Sequence, residues 1–225
     1  MPEESTLFIA GILLLGGAVL VVALLLDRKR TQGMMAVAQR LGLGFFPKAS
    51  TDVLPSPRQL PLLSQGHARR VKNLMQGEAQ GKAVSIFDYQ YTRGYGKNSH
   101  TYRQTVAMFR SPEMSLPGFA LRPEGFFHKL GSAFGYQDID FERHPVFSGR
   151  YLLKGDPEDA VRAVFDEPVL AYYEARPGLS TEGEGDCLIY YRASKKVAPE
   201  RIEDFLGEGF EVFGLFSRSA AERHA

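Results

Sequence analysis

The feature that most constrains this chain is a stretch of twenty uncharged residues near its N-terminus, from Leu7 to Leu26. As an α-helix, which rises about 1.5 Å per residue, this stretch is roughly 30 Å long, the thickness of the hydrocarbon core of a bilayer. Lipid offers the backbone no hydrogen-bond partners, so a single segment crosses it only as a helix. The sequence therefore predicts one transmembrane helix over residues 7–26, in contact with the lipid bilayer.

The charges on either side of this stretch indicate its orientation. Glu3 and Glu4 precede it, and Arg28, Lys29 and Arg30 follow it. Lys and Arg are retained on the cytoplasmic side, so we expect a single-pass protein with its N-terminus outside and its remaining chain in the cytoplasm. A cleaved signal peptide is the alternative. It requires a basic start, a shorter apolar run and a small-residue cleavage site, which this sequence lacks.

The basic charge of the chain lies next to the predicted span. Residues 27–77 hold nine Lys or Arg and two Asp, a net charge of +7, whereas the whole chain has a net charge of +1. Cations close to anionic lipid headgroups gain about 1 kcal/mol each, so such headgroups are a candidate partner. The alternative is that these cations only determine topology and solvate the surface. A near-neutral domain does not favour a nucleic-acid partner, and the single Cys187 excludes a disulfide within the chain.

The apolar patterns predict an α+β fold: one N-terminal transmembrane helix followed by a domain with a mainly antiparallel sheet and packed helices. Strands are predicted at residues 43–46, 67–75, 82–92, 101–110, 119–121, 147–153 and 187–192, with a turn at 182–186. Helices are predicted over residues 31–41, from Pro123, after an N-cap at Asp156 with a break at Pro168, and from near Pro199. The predicted organisation is an extracytoplasmic tail (1–6), a transmembrane helix (7–26), a basic juxtamembrane helix with a proline-rich linker (27–61) and a globular domain (62–218).

The segment from Asp138 to His144 is the best candidate for chemistry. In an extended strand, Asp138, Asp140, Glu142 and His144 point to one face. Such a group holds a divalent metal or supplies an acid and a base, which suggests a membrane-tethered, metal-assisted enzyme. The structural alternative is a solvated strand edge whose intervening apolar residues face the core, and the pattern favours this alternative.

A second candidate is the tyrosine-rich, basic hairpin of residues 88–97, continued by His100, Tyr102 and Arg103. Tyr, Arg and Lys suit a membrane interface, and the same mixture stacks single-stranded bases. Packing of Tyr against Tyr and Thr across neighbouring strands explains the pattern equally simply. We favour cross-strand packing.

Other familiar motifs are incomplete. The glycines at 94–97 and 77–82 miss the spacing and the hydroxyl of a phosphate-binding loop, and indicate hairpin turns. Ser148 lacks the Gly-x-Ser-x-Gly elbow, Cys187 opens an apolar strand, and the five histidines show no zinc spacing with that cysteine. The sequence therefore assigns no catalytic, cofactor-binding or metal-binding residue and no cofactor.

One resemblance extends over residues 34–216. The order of short segments is similar to that in an uncharacterised family of bacterial proteins with one N-terminal span and a cytoplasmic α+β domain. These segments are Gly66, Asn73-Leu74-Met75-Gln76-Gly77, Phe87-Asp88-Tyr89-Gln90-Tyr91, Gln104-Thr105-Val106, Asp138-Ile139-Asp140-Phe141, His144-Pro145, Phe147-Ser148 and Tyr151-Leu152-Leu153. The resemblance implies a bacterial inner membrane and carries no known activity.

These observations lead to two functional hypotheses. The first is a membrane-anchored protein whose cytoplasmic domain binds or scaffolds an unidentified protein partner. The alternative is the metal-assisted enzyme that uses Asp138, Asp140 and Glu142. Because no complete set of acid, base and nucleophile is present, the sequence favours the first hypothesis over an enzyme.

Overall fold

The computed structural model describes residues 2–54, 60–127 and 138–221, and gives only the backbone for residues 2–13, 126–127 and 219–221. The elements in the first half of the chain are α1 (Pro2–Arg40), β1 (Gly44–Ala49), α2 (Pro61–Ser64), β2 (His67–Ala79), β3 (Lys82–Arg93), β4 (His100–Arg110), β5 (Leu116–Pro123) and α3 (Glu124–Phe127). Those in the second half are α4 (Pro145–Ser148), β6 (Tyr151–Asp156), α5 (Glu158–Val164), α6 (Glu167–Ala175), β7 (Ser180–Gly185), β8 (Cys187–Tyr191) and α7 (Ile202–Ala221).

The eight strands form one sheet in the order β1-β2-β3-β4-β8-β7-β5-β6. Every strand pairing is antiparallel, so the predicted α+β fold with an antiparallel sheet is confirmed. The first four strands follow the chain as a meander. β8 then pairs with β4 on one side and with β7 on the other. The β7–β8 hairpin, the last in the chain, therefore lies in the middle of the sheet.

Alternation of side chains along the strands gives the sheet two buried faces. On β3, Val84 and Ile86 belong to the larger core, whereas Phe87 and Tyr89 belong to a second cluster on the opposite face. The C-terminal part of α1 and the helices α5, α6 and α7 cover the larger core. Among the described residues, the segment around α2 covers the second face. Burial of each large apolar side chain contributes roughly 1.5–3 kcal/mol.

Helix α1 is continuous from Pro2 to Arg40, so the predicted span and the predicted juxtamembrane helix form one rod. Near its C-terminus, Met34, Val37 and Ala38 are fully buried against the sheet. The rod ends before Gly42, whose φ of +67° is readily adopted by glycine. One helix therefore carries both the exposed apolar stretch and the residues that pack into the core of the domain.

The described residues do not support the predicted transmembrane helix. No helix in the described residues combines the length and the hydropathy that a membrane crossing requires. The side chains of residues 7–13, the first third of that span, lie outside the described residues. From Leu14 to Leu26, the large apolar side chains are 54–76% exposed.

Several predicted elements are confirmed and others are wrong. The strands β2, β3, β4 and β8 and the helix α7 lie where the apolar patterns placed them. The break at Pro168 is confirmed, because α5 ends at Val164 and Pro168 lies in the first turn of α6. The helix predicted from Pro123 begins at Glu124, and residues 128–137 of that prediction lie outside the described residues.

Three local predictions are wrong for identifiable reasons, and a fourth element, β1, is present with different bounds. The turn predicted at 182–186 is mostly strand β7, whose Glu182 is buried through pairing rather than through apolar character. The strand predicted from residue 147 begins only at Tyr151, because Pro145 starts the helical turn α4. Strand β1 runs from Gly44 to Ala49 rather than over 43–46. Asp156 is not an N-cap, because Pro157 occupies that position before α5.

Candidate functional site

The most informative polar site is the junction between helix α1 and the sheet. The Arg30 guanidinium donates two hydrogen bonds to the Asp88 carboxylate, from Nε to Oδ2 at 2.7 Å and from Nη2 to Oδ1 at 2.6 Å. The two side chains are only 14% and 7% exposed. Such a bidentate, partly desolvated pair is stronger and more directional than a surface ion pair. It fixes the helix to strand β3.

Three further residues complete this junction. Asn73 Nδ2 donates to Asp88 at 2.9 Å, and Thr105 Oγ1 donates to the same carboxylate at 3.0 Å. Arg30 Nη1 donates to the Val197 carbonyl at 2.8 Å, and the Val197 amide donates to Thr105 Oγ1 at 2.9 Å. The junction therefore connects α1, three neighbouring strands and the segment before α7.

A local irregularity of β2 brings Asn73 into the junction. The pairing of β2 with β3 shifts register between Lys72 and Met75, and Asn73 adopts a φ of +51°. Asn tolerates this left-handed conformation better than most residues. A register shift of this kind is a bulge, which redirects a side chain relative to a regular strand. Asn73 is 1% exposed, and its amide reaches the carboxylate from within the sheet.

A cleft of about 540 Å³ lies beside the junction. Leu20, Ala23 and Leu24 of α1 form its apolar wall. The cations on the opposite side, which we call the basic wall, are Arg70, Lys72, Arg103 and Lys196. The cleft therefore combines an aliphatic surface with a positively charged one.

The two acidic residues that line the cleft already have cationic partners. Asp88 is held by Arg30, and Asp27 Oδ2 lies 2.8 Å from Lys72 Nζ. The hydrogen bond from Lys72 lowers the pKa of Asp27, so this carboxylate is ionised at neutral pH. The four cations and two carboxylates that line the cleft give it a net charge of +2.

The cations of the basic wall differ in how fully they are engaged. Arg103 Nε donates to Gln90 Oε1 at 2.9 Å, and Lys196 Nζ lies 3.8 Å from Asp88 Oδ2. Burial lowers the pKa of Lys196. Arg70 forms no side-chain hydrogen bond or ion pair with the residues that the structure describes. The wall thus retains donor capacity for an anion.

Two smaller clefts extend the positive surface around the base of α1 through the shared Lys72. One, of about 280 Å³, is also lined by Arg28 and Lys48. The other, of about 370 Å³, is lined by Lys48, Arg69, Arg70 and Lys72. Most of the positive charge predicted next to the span is therefore brought together on one side of the domain.

A second buried ion pair lies on the opposite face of the sheet. Arg122 and Glu182 are 3% and 0% exposed, and they form a direct salt bridge. Glu182 also accepts hydrogen bonds from the Tyr191 hydroxyl and the Leu62 amide, both at 2.7 Å. The amide of Gln65, oriented to satisfy its neighbours, accepts from Arg122. This network joins α2 to the sheet, and its polar groups are occupied by one another, which indicates a structural role.

The predicted chemical cluster at residues 138–144 does not assemble. The segment is irregular, with a turn at residues 142–143, rather than an extended strand, so the arrangement that would place its polar side chains on one face does not form. Asp138 accepts a hydrogen bond from the Leu153 amide at 3.0 Å, and burial raises its pKa. His144 lies between two carboxylates of α6, 2.9 Å from Glu167 and 3.3 Å from Glu174. The described residues contain no group of three or more side chains suited to a metal ion.

The tyrosine-rich hairpin is largely structural, as the cross-strand interpretation predicted. Tyr91 and Tyr102 are paired across β3 and β4, and their rings stack with centroids 5.1 Å apart. Tyr89 is buried on the same face. Tyr95 at the tip is 81% exposed and stacks on His67 at 4.7 Å. Cys187, which opens the apolar strand β8, is buried, and burial raises its pKa to about 12.

Comparison with known proteins defines the fold only. No protein-family model and no curated protein matches the chain. Its structure is similar to the crystal structure of the mycobacterial trehalose monomycolate transport factor A, TtfA, with a TM-score of 0.60 and 14% sequence identity. The similarity covers 85% of this chain and 94% of that chain. At this identity, the comparison shows that the two proteins share a fold.

Proposed function

We propose that this chain is a single-pass membrane protein whose cytoplasmic domain binds a partner rather than catalysing a reaction. The observation that carries the proposal is the continuity of α1. Its apolar stretch leads, without a break, into the segment that Arg30 and the buried residues Met34 and Val37 fix to the sheet. A rigid connection of this kind holds the domain at a defined position relative to the apolar stretch.

The exposure of the apolar stretch supports a lipid environment. Large apolar side chains between Leu14 and Leu26 are more than half exposed on all sides of the helix. A helix that packs into a protein groove buries one stripe, whereas a helix in lipid is apolar all round. The run of Arg28, Lys29 and Arg30 after the stretch favours a cytoplasmic domain and an extracytoplasmic N-terminus.

The shared fold suggests the class of process. TtfA is described as a transport factor for trehalose monomycolate. By analogy, the proposed role of this chain is that of an accessory factor in transport at a bacterial inner membrane. The metal-assisted enzyme is not favoured, since Asp138, Asp140 and Glu142 are not gathered on one strand face.

Membrane extraction of the full chain tests the anchor. We expect the protein to remain in the membrane fraction after washing with alkaline carbonate. A Val19→Asp/Val22→Asp variant should be largely released, because each central Asp costs about 2.5–3.5 kcal/mol on insertion. Val146→Asp is the matched control, since Val146 is an exposed apolar residue on the folded domain (47%) and its change should leave membrane retention unaltered.

A reporter fused to the C-terminus tests the orientation. We expect activity from a reporter that works only in the cytoplasm.

The two experiments have separate contradicting outcomes. Release of the unmodified chain by carbonate, in the extraction experiment, contradicts the anchor. Activity solely from a periplasmic reporter contradicts the proposed orientation but leaves the anchor in place.

A further inference from the structure

The cleft beside α1 lies at a defined depth along the helix. Leu20 and Asp27 are seven residues apart, or roughly 10 Å along the helix axis. The headgroup layer on each side of a bilayer is roughly 5–8 Å thick. Because Arg103 and Gln90 line the same cleft as Leu20, the sheet reaches along α1 to the level of that residue. With residues 7–26 as the span, the cleft extends from the headgroup level near Asp27 to the hydrocarbon near Leu20, and a long Arg side chain at this depth keeps its charge at the headgroups.

The two walls of the cleft match the two parts of an anionic lipid. The apolar wall of Leu20, Ala23 and Leu24 continues the exposed surface of α1 and suits an acyl chain. The basic wall suits a phosphate, for which Arg offers paired donors. A volume of about 540 Å³ lies within the range of small-molecule sites. A water-soluble anion has no apolar part that could bury the apolar wall.

The charge of the cleft is not neutralised internally. Asp27 and Asp88 are each engaged by a cation, and Arg70 has no side-chain partner among the described residues. The net charge of +2 therefore favours a ligand with negative charge. Arg70 and Arg103 lie on β2 and β4, the two neighbours of β3, and both line the cleft.

Resting on the proposed membrane anchor, we propose that this cleft binds one anionic phospholipid from the inner leaflet. The phosphate lies at the basic wall, between Arg70 and Arg103, and the first part of an acyl chain follows the apolar wall. The bound lipid fills the space between α1 and the sheet.

Native mass spectrometry of the full chain in detergent micelles tests the cleft. Phosphatidylglycerol and phosphatidylcholine are titrated separately. We expect one phosphatidylglycerol to bind in preference to phosphatidylcholine. The Arg70→Gln/Arg103→Gln variant should bind it about tenfold more weakly or worse, because two cations near the headgroup are lost. Both arginines are exposed, so these substitutions should leave the fold intact.

A matched variant and a soluble competitor sharpen the test. Arg110→Gln/Lys82→Gln removes two cations from another part of the sheet, where they pair with Asp186 and Glu113, and should bind phosphatidylglycerol as the unmodified chain does. Millimolar glycerol 3-phosphate should not displace the lipid. Equal loss in both double variants, or complete displacement by glycerol 3-phosphate, overturns the proposal.

Reconstitution separates this proposal from the anchor on which it rests. The full chain is mixed with lipid nanodiscs that contain phosphatidylcholine and a minor share of phosphatidylglycerol. Failure to co-elute with the discs contradicts the anchor. Co-elution without preferential phosphatidylglycerol binding in the titration contradicts the lipid site alone.

Discussion

Two buried Arg–carboxylate pairs lie on opposite faces of the sheet and hold different kinds of structure together. Arg122 and Glu182 come from the adjacent strands β5 and β7 and are almost completely enclosed. Arg30 comes from the long helix and Asp88 from strand β3, 58 residues later, and their junction borders a cleft. The first pair stabilises the sheet and its cover. The second fixes the position of helix α1 relative to the sheet.

The comparison predicts a large penalty for breaking the enclosed pair. Glu182→Ala leaves the Arg122 guanidinium buried without a counter-charge and removes the acceptor of Tyr191. We expect the free energy of unfolding to fall by about 3–5 kcal/mol, as for other buried pairs that lose one partner. Urea unfolding of the full chain in detergent micelles measures this change.

A surface pair provides the control for this substitution. Glu203 pairs with Arg40, and both side chains are at least half exposed. Glu203→Ala should therefore change the free energy of unfolding by about 0.5 kcal/mol or less. Equal effects of Glu182→Ala and Glu203→Ala contradict the structural role of the enclosed pair.

Breaking the helix–sheet pair should cost less. Asp88→Asn keeps the shape of the side chain and removes its charge, while Arg30 retains its hydrogen bonds to the Val197 carbonyl and the Thr105 hydroxyl. We expect a loss of about 2–3 kcal/mol, the range for hydrogen bonds to charged groups. Hydrogen exchange should rise over residues 30–40 and not in β7 or β8.

The location of the exchange distinguishes the two pairs. Asp204→Asn, at an exposed residue of α7 that pairs with Arg201, is the control and should leave exchange in α1 unchanged. Faster exchange spread evenly over the sheet after Asp88→Asn means that the junction supports the whole fold rather than the helix position.

Coupling between Arg30 and Asp88 gives a third, smaller effect. Once Asp88 is neutral, removal of the Arg30 charge by Arg30→Gln should cost less than it does in the unmodified chain. We expect a coupling energy of about 0.5–2 kcal/mol from a double-mutant cycle. Asp88→Asn combined with Glu203→Ala serves as the control and should be additive, because these residues share no partner. Additivity of Arg30→Gln with Asp88→Asn contradicts a direct interaction.

The sequence predicted those parts of the fold in which apolar patterning alone determines the structure. Strands β3 and β4 and helix α7 have clear periodicity, and their apolar residues are buried as expected. Strand β7 has the sequence STEGEG, which lacks apolar alternation. Its central Glu182 is buried because Arg122 lies beside it, and no local pattern reveals a partner 60 residues away.

The candidate site was missed for the same physical reason. Arg30 was interpreted as one of three cations that determine topology, and Asp88 as the start of a tyrosine-rich hairpin. One signal was available, since Asp88 follows Val84 and Ile86 at two-residue spacing and so falls on the same inward-facing side of β3. A charged residue at such a position requires a counter-charge. The pattern does not identify which cation supplies it.

The smallest predicted effect concerns Asp27, whose ionisation makes the stability of the fold depend on pH. Lys72 lowers the pKa of Asp27, so the ionised form stabilises the folded state above the ordinary value of 3.8, and this contribution is lost as the pH falls through the folded-state pKa. Both side chains are about 40% exposed, so screening limits the contribution to about 0.5 kcal/mol at pH 7. The difference between Asp27→Asn and the unmodified chain in urea unfolding should therefore shrink below about pH 4. Because Asp27→Asn also raises the net charge of the cleft, it should strengthen phosphatidylglycerol binding at pH 7 while it weakens the fold slightly. Weaker lipid binding in this variant means that Asp27 positions Lys72 for the phosphate rather than competing with it.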